Sequence, residues 1–382
     1  MRRVLLIASL ALAGALTLGV RGQAAGPWTI EDSGTAAGLR GIDSVNGKIA
    51  WASGTGGTVL RTVDGGEHWT QCAVPDAAKD GAVLDFRGVQ AWDAQTAIVM
   101  ASGPGEKSRL YKTTDGCRNW KLLFRNPDSP NGFFDSFWLN GSHGMLLGDP
   151  VGGRFAIFTT KNGGKTWKRD AREGLLLRGR SLAAFAASNS CIGIGNGLFV
   201  TGFATGGKNG AMFFSRPNDP GEVGANGLLV RLVRKKIDWN ARPIPVTAGT
   251  DSAGVFSIAY RYPVTTGICE GCSFGENSLF MAVGGDYTKP GEGAGTAAWS
   301  ADGGWTWTAS KQPPHGYRSA VQWSEVLKAW IAVGTNGSDI SRDDGKSWAS
   351  LDDGDWNGVS LPFAVGPKGR IGRLNSEAVG KK

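Results

Sequence analysis

Beyond residue 25 the sequence has no Ala/Leu/Glu/Lys-rich helical stretch and no apolar run long enough to span a membrane. These absences exclude an all-α fold and a multi-pass membrane protein. Histidine is scarce: His68, His143 and His315 lie far apart in different repeat units and leave no clustered set for a four-ligand metal site. Cysteine is also sparse, and its count of five is odd. Cys269-Glu-Gly-Cys272 can form a local disulfide, half of a metal site or a redox pair. A redox pair needs a helix N-terminus to hold the thiolate, and nothing around it reads as helix, so a structural loop bridge is preferred. The pairing of Cys72, Cys117 and Cys191 stays open. No metal or cofactor is expected.

Residues 1–25 are set aside as a signal peptide. Met1-Arg2-Arg3 is a basic start, Val4 to Val20 an apolar core, and Gly22-Gln-Ala24-Ala25 a small-residue cleavage site. An uncleaved anchor is the alternative. No cysteine stands at the boundary, which argues against a bacterial-type lipid anchor. The formal charge of +8 falls to +5 once Arg2, Arg3 and Arg21 leave with the leader. Such a mildly basic, exported chain is compatible with an anionic partner, and export argues against nucleic acid. The expected location is periplasmic, lumenal or extracellular, and the expected state a monomer.

What the chain does contain is glycine, sixty residues of it, and fifteen tryptophans. Both recur in one motif. Thr62-Val-Asp64-Gly-Gly66-Glu-His-Trp69 returns with Asp115 and Trp120, with Asn162 and Trp167, with Asp302 and Trp307, and with Asp343 and Trp348. The Asp or Asn accepts backbone N–H bonds of its own turn, Gly supplies positive φ, and Trp is an apolar plate that wedges between units. Short apolar strands separate the turns, and repetition at about 40–50 residues indicates a propeller or solenoid. Counting second strands predicts seven units of an all-β, seven-bladed β-propeller with four-stranded blades. Unit four is degenerate: Ser181–Ala186, Cys191–Ile194 and Ala211–Phe214 stand for its first three strands, and its turn is eroded at Pro217. The predicted domain spans 26–376, with an insertion about 221–250 after the fourth blade and a tail at 377–382. The last unit lacks a fourth strand, and Pro27-Trp28-Thr-Ile-Glu supplies it, closing the ring.

The turns resemble the Asp-box (BNR) repeats of sialidase-like propellers. Longer segments are similar to bacterial relatives of the photosystem II stability/assembly factor: Leu84-Asp-Phe-Arg-Gly-Val, Leu147-Gly-Asp-Pro-Val-Gly-Gly-Arg-Phe, Val283-Gly-Gly-Asp-Tyr-Thr-Lys-Pro, Gly316-Tyr-Arg-Ser-Ala-Val and Val365-Gly-Pro-Lys-Gly-Arg-Ile. The resemblance covers roughly residues 27–374. It implies a secreted or lumenal scaffold that binds membrane-protein intermediates, with no catalytic residues to carry over.

Propeller geometry sends the Asp turns to one face and the first-strand starts to the other, around the channel mouth. One first-strand position carries Arg40, Arg87, Asp135, Ser257 and Arg318. Three converging arginines make an anion site, and loops add Glu106, Lys107, Asp149, Asp286, Tyr287, Lys289 and Lys368. The opposing reading has each arginine paired with a neighbouring blade's carboxylate. A carbohydrate-active hydrolase could draw on Asp135, Asp149 and Asp286, although the Arg-Ile-Pro motif of sialidases is missing and Arg242-Pro-Ile-Pro245 has the wrong place and order. Gly164-Lys-Thr166 and Gly345-Lys-Ser347 lack the first glycine of a phosphate loop, with Thr159 and Ile340 there instead. The basic run Arg231–Lys236 reads as a solvated face. The leading expectation is a non-enzymatic scaffold that binds a protein partner through Arg40, Arg87, Arg318, Lys107, Tyr287 and Lys289.

Overall fold

The computed structural model describes residues 26–74, 84–195, 199–215, 238–261 and 279–380. The leader, Cys269 and Cys272, and the basic run Arg231–Lys236 lie outside these residues. The chain forms seven four-stranded antiparallel sheets, a seven-bladed β-propeller. It opens with β1 (Trp28–Glu31). Blade 1 is β2 (Leu39–Ser44), β3 (Ala50–Gly54), β4 (Val59–Thr62) and β5 (Thr70–Gln71). Blade 2 is β6 (Phe86–Ala91), β7 (Ala97–Ala101), β8 (Arg109–Thr113) and β9 (Lys121–Arg125). Blade 3 is β10 (Phe134–Asn140), β11 (His143–Val151), β12 (Arg154–Thr160) and β13 (Lys168–Arg169). Blade 4 is β14 (Ile192–Gly195), β15 (Phe199–Ala204), β16 (Ala211–Ser215) and β17 (Asn240–Ile244). Blade 5 is β18 (Ala253–Arg261), β19 (Leu279–Asp286), β20 (Ala297–Ser300) and β21 (Thr308–Ala309). Blade 6 is β22 (Ala320–Ser324), β23 (Ala329–Gly334), β24 (Gly337–Ser341) and β25 (Ala349–Asp352). Blade 7 is β26 (Gly358–Ser360), β27 (Phe363–Val365) and β28 (Ile371–Leu374), completed by β1 with Trp28 opposite Leu374.

Burial explains the sequence pattern. The second strands β3, β7 and β23 are buried at every residue because a blade presses on each face, hence their unbroken apolar runs. The outermost strands β5, β13 and β21 have two exposed residues each, too short to recruit another strand.

The Asp turns are built the same way in five blades. In blade 1 the Thr62 hydroxyl donates to Asp64 Oδ1 at 2.8 Å and accepts from Gly66 N at 3.0 Å, while His68 N donates to Asp64 Oδ1 at 3.0 Å. The same three bonds join Thr113, Asp115, Cys117 and Asn119 in blade 2. Blade 3 repeats them with Thr160, Asn162, Gly164 and Thr166, so an amide oxygen serves as well as a carboxylate. Ser300 with Asp302 and Ser341 with Asp343 complete the set.

A tryptophan precedes or opens every outer strand and reaches the preceding blade. Trp69 lies edge-on to Phe363 of blade 7, Trp120 to Trp51 of blade 1, and Trp167 stacks on Phe124 of blade 2. Trp307 meets Phe213 of blade 4, Trp348 packs with Met281 of blade 5, and Trp28 donates its indole N–H to Ser338 Oγ of blade 6 at 3.0 Å. The seventh is Trp239, which donates to Asp170 Oδ2 just beyond blade 3 at 3.0 Å.

Blade 4 corrects two expectations. The stretch 221–250 does not follow the fourth blade; it contains that blade's outer strand, β17, which pairs with β16. The strands of blade 4 are also shifted: Ile192–Gly195 is first and Phe199–Ala204 second, because Ser181–Ala186 makes only a single bridge, Ala183 to Gly206. At the C-terminus, Ser376–Gly380 is a short helix, α1, that buries Val379 against blade 6, so the propeller's packing extends past 376.

Cys72, after β5, is bonded to Cys117 in the Asp turn of blade 2, with Cα atoms 5.6 Å apart; Cys191 is unpaired and buried. Cys117 takes the place of the turn's second glycine and keeps its left-handed backbone, φ 68°. The bridge closes a loop of 45 residues. Replacing both cysteines by serine is expected to cost about 4 kcal/mol in denaturant titration on the loop-entropy relation; an unchanged midpoint would refute the bridge as a stabilising strut. The turns carry a second expectation. Hydrogen bonds from the His68 backbone and ring hold Asp64 down at about 2, and those from Asn119 hold Asp115 at about 2. Carboxyls depressed in the folded state stabilise it above the ordinary carboxylate range and lose that contribution as pH falls through roughly 4 to 2. Asp64→Asn with Asp115→Asn, imitating Asn162, is expected to flatten this limb of an acid titration followed by tryptophan fluorescence.

Candidate functional site

The site begins with a backbone irregularity. Register shifts between Leu39 and Gly41, Phe86 and Gly88, Phe134 and Ser136, and Val255 and Ser257 place one extra residue in the first strand. A bulged residue leaves the ladder, so its side chain is re-aimed. These residues are Arg40, Arg87, Asp135 and Phe256. Ser257 is therefore one place beyond the equivalent position.

Arg318 is also displaced, by one residue in the other direction. Its N–H donates to Gly284 O at 3.0 Å, as Leu39 N does to Gly366 O and Trp356 N to Gly334 O. Arg318 thus occupies the core position of Leu39 and Trp356, and Ser319 stands where Arg40 does. It is fully buried, 0 % exposed. Its Nε donates to Asp339 Oδ2 at 2.5 Å, its Nη1 to Asn336 Oδ1 at 2.7 Å, and its Nη2 lies 2.9 Å from His315 Nδ1. The structure therefore does not bring Arg318 to the mouth with Arg40 and Arg87. Its partner Asp339 belongs to its own blade, not to a neighbour.

Arg40 and Arg87 converge on Asp85. Arg87 Nε lies 2.7 Å from Asp85 Oδ2, and Arg40 Nε 3.9 Å from Asp85 Oδ1 across the joint between blades 1 and 2. Both guanidinium groups are about one-third exposed. Asp85 thus lies between the two guanidiniums, with Asp135 in the field of Arg87 and Asp355 in that of Arg40. Beside them stands an aromatic cluster. Phe185 stacks on Phe256 with centroids 3.9 Å apart, and Phe256 meets Tyr317 at 4.8 Å and Tyr287 at 6.1 Å, both edge-on. Tyr287 is 52 % exposed, whereas burial drives the Tyr317 hydroxyl's pKa up despite the field of Arg40 and Arg87.

The carboxylates divide by environment. Asp135 is 1 % exposed, and burial, reinforced by Asp149 and opposed by Arg87, pushes its pKa well above the usual range. Asp149 accepts from Ala184 N at 3.1 Å and is pushed by burial up to about 6. Asp286 is held below the ordinary range: its burial is outweighed by the Thr288 hydroxyl at 2.7 Å, the Ser252 hydroxyl and the Thr288 backbone N–H. Glycoside hydrolysis needs substrate and water between two carboxyls; Asp135 is sealed, and Asp286 is tied into its own turn. Lys107 ends a short 3-10 helix, Gly105–Lys107, and Lys289 pairs with Glu292 at 3.5 Å. Asp85, Phe185, Phe256 and Tyr317 escaped the sequence reading. Asp85 could have been found, since it precedes Phe86 at the bulge; Phe185 and Phe256 carry no repeat signal.

The fold and mouth define a seven-bladed propeller whose channel opening combines arginine, carboxylate and aromatic groups. No protein-family profile matches the chain. The chain is similar to the Photosystem II assembly lipoprotein Ycf48 of Synechococcus sp. (strain CC9902), 26 % identical over 168 residues. That match covers 43 % of this chain and 46 % of the relative, so it spans about half the relative's length. Among solved structures, "YCF48 bound to D1 peptide" aligns over 92 % of this chain and 97 % of that one, with a TM-score of 0.55 at 14 % identity. "YCF48 from Cyanidioschyzon merolae" aligns over 92 % and 99 %, with a TM-score of 0.58 at 18 % identity. The photosystem II assembly factor resemblance and the propeller fold read from the sequence are thus both shown. Among the described residues no helix is long and apolar enough to cross a membrane.

The Arg318 pair yields a stability expectation. Arg318→Leu takes the guanidinium from the buried Asp339 carboxylate, which keeps only the His315 contact at 2.8 Å among its ion pairs, and should cost about 3–5 kcal/mol, with most of that recovered in Arg318→Leu/Asp339→Leu. Denaturant titration of the two variants tests this; equal loss in both would show that the pair is not the source.

Proposed function

We propose that the protein is an exported, non-enzymatic propeller scaffold that binds a protein partner during assembly or stabilisation of a membrane complex, in the manner of a photosystem II assembly factor. One observation carries the choice of site: Arg40 and Arg87 share the single Asp85 carboxylate at the channel mouth, beside exposed Tyr287. Such a mouth suits a carboxylate-bearing segment, since each guanidinium offers a planar fork of donors and the ring offers apolar area. The kind of partner is supported by the similarity to an assembly lipoprotein and by a structural neighbour bound to a D1 peptide. Removal of residues 1–25 as a leader belongs to the same reading, and the Cys72–Cys117 bridge supports it, because such bonds persist in oxidising compartments. Lys107 and Lys289 would extend the positive rim. Arg318 acts in this reading only through stability.

Titration with a fluorescent acidic peptide tests the proposal. Arg40→Ala and Arg87→Ala should each weaken binding at least about tenfold, and Lys165→Ala, on the Asp-turn face, should leave it unchanged. Undiminished binding by both arginine variants would sink the mouth as the site. The pH dependence has a definite sign. Asp135 lies in the field of Arg87 and next to Asp149, and each opposes an anion when ionised; below about 6 Asp149 is neutral. Binding should therefore tighten from pH 7.5 to pH 5, where peptide carboxylates remain charged, and Asp149→Asn should remove that trend.

A further inference from the structure

We infer that the loop from Ala186 to Ser190 is an axial plug that closes the propeller's central channel and holds Arg87 in place at the mouth. The first strand of blade 4 is interrupted, unlike those of its neighbours. Ala183 bridges Gly206, and pairing then resumes only at Ile192, opposite Phe203. The residues between leave the blade and return to it, with Cys191 O accepting from Ala204 N at 2.9 Å. What they meet on the excursion defines its direction.

Every hydrogen-bond partner from another blade lies at a first strand. In blade 3, Phe137 N donates to Asn189 Oδ1 at 2.8 Å and the Ser136 hydroxyl to Asn189 O at 3.0 Å. In blade 5, Ile258 N donates to Ser190 O at 2.7 Å. In blade 6, Ser319 O accepts from the Ser188 hydroxyl at 2.9 Å. In blade 2, Arg87 Nη1 donates to Ala186 O at 3.3 Å. First strands line the axis of a propeller, so a single loop touching blades 2, 3, 5 and 6 stands on that axis. Blade 7 is close as well: a Cβ added at Gly358 would come within 3.6 Å of Ser188. The channel is then no conduit. The mouth is a basin with a floor made by the chain itself, and a partner can enter it from one face only.

Asn189 is the latch. Its backbone is left-handed, φ 62°, a conformation Asn and Gly adopt most readily, and its side chain satisfies an amide of blade 3. Asn189→Gly keeps the backbone and removes the acceptor, while Asn189→Asp keeps both. The reporter is Cys191 at the root of the loop, 0 % exposed. With Cys269 and Cys272 replaced by serine, it is the one thiol outside the Cys72–Cys117 bridge.

The experiment measures alkylation of Cys191 by iodoacetamide under native conditions, alongside denaturant titration of the same proteins. The expected result is slow labelling of the parent and of Asn189→Asp. Asn189→Gly should label about tenfold faster or more, the effect of one lost buried hydrogen bond on a local opening equilibrium, beyond what its change in global stability explains. Equal rates in Asn189→Gly and Asn189→Asp, or labelling that follows global unfolding alone, would overturn the plug. The claim on Arg87 rests on the mouth reading: Asn189→Gly should also weaken peptide binding, and less so once Arg87 is already alanine. Labelling needs no peptide, so a failed mouth and a failed plug give different results.

Discussion

The structure depends on a tryptophan reaching from each blade into the one before it. No blade can bury both of its faces alone, and the apolar second strands make sense only as the filling between two sheets. Trp69, Trp120, Trp167, Trp239, Trp307 and Trp348 each stand just before an outer strand, and Trp28 opens the seventh. Trp28 carries the additional burden of closure. It opens the first strand yet belongs to the last blade, where it packs against Trp356 with centroids 5.2 Å apart and bonds to blade 6. Pairing of β1 with β28 thereby joins the two ends of the chain and gives the last blade its fourth strand, which closes the ring.

On the opposite face from the Asp turns, chemistry follows from a defect in that regularity. A one-residue bulge in the first strand takes a side chain out of the alternation of the sheet, and its occupant is then free of the packing that governs its neighbours. Arg40 and Arg87 use this freedom to face Asp85, Phe256 to build an aromatic cluster, and Asp135 to point into a sealed space where its charge is costly. One backbone feature thus yields three different environments around the same axis. Blade 4, the most irregular, supplies the loop that reaches across them. Its position explains why Arg87 is oriented by a carboxylate on one side and a backbone carbonyl on the other.

Much of this could be read in the sequence, and the reason is locality. The Asp turn needs only residues within a seven-residue span, as Thr62, Asp64, Gly66 and His68 show, so each copy announces itself without its surroundings. Strand alternation and the Trp28 segment were legible for the same reason. Arg318 was not, because a glance at Tyr-Arg-Ser beside Leu-Arg-Gly cannot reveal a register offset of one residue, and one residue separates the mouth from the core. Trp239 was hidden by distance: it lies on the far side of the stretch between β16 and β17, where repeat spacing no longer points to it.

By itself, then, the amino-acid sequence determined the all-β class and the number of blades, since these rest on short-range turn chemistry and periodicity. Only the tertiary structure decided which arginines meet, that Cys72 pairs with Cys117, that Trp239 is the missing wedge and that residues 186–190 cross the axis. Each of these joins residues from different blades, or depends on a bulge that shifts register, and a ring brings such residues together only when it closes.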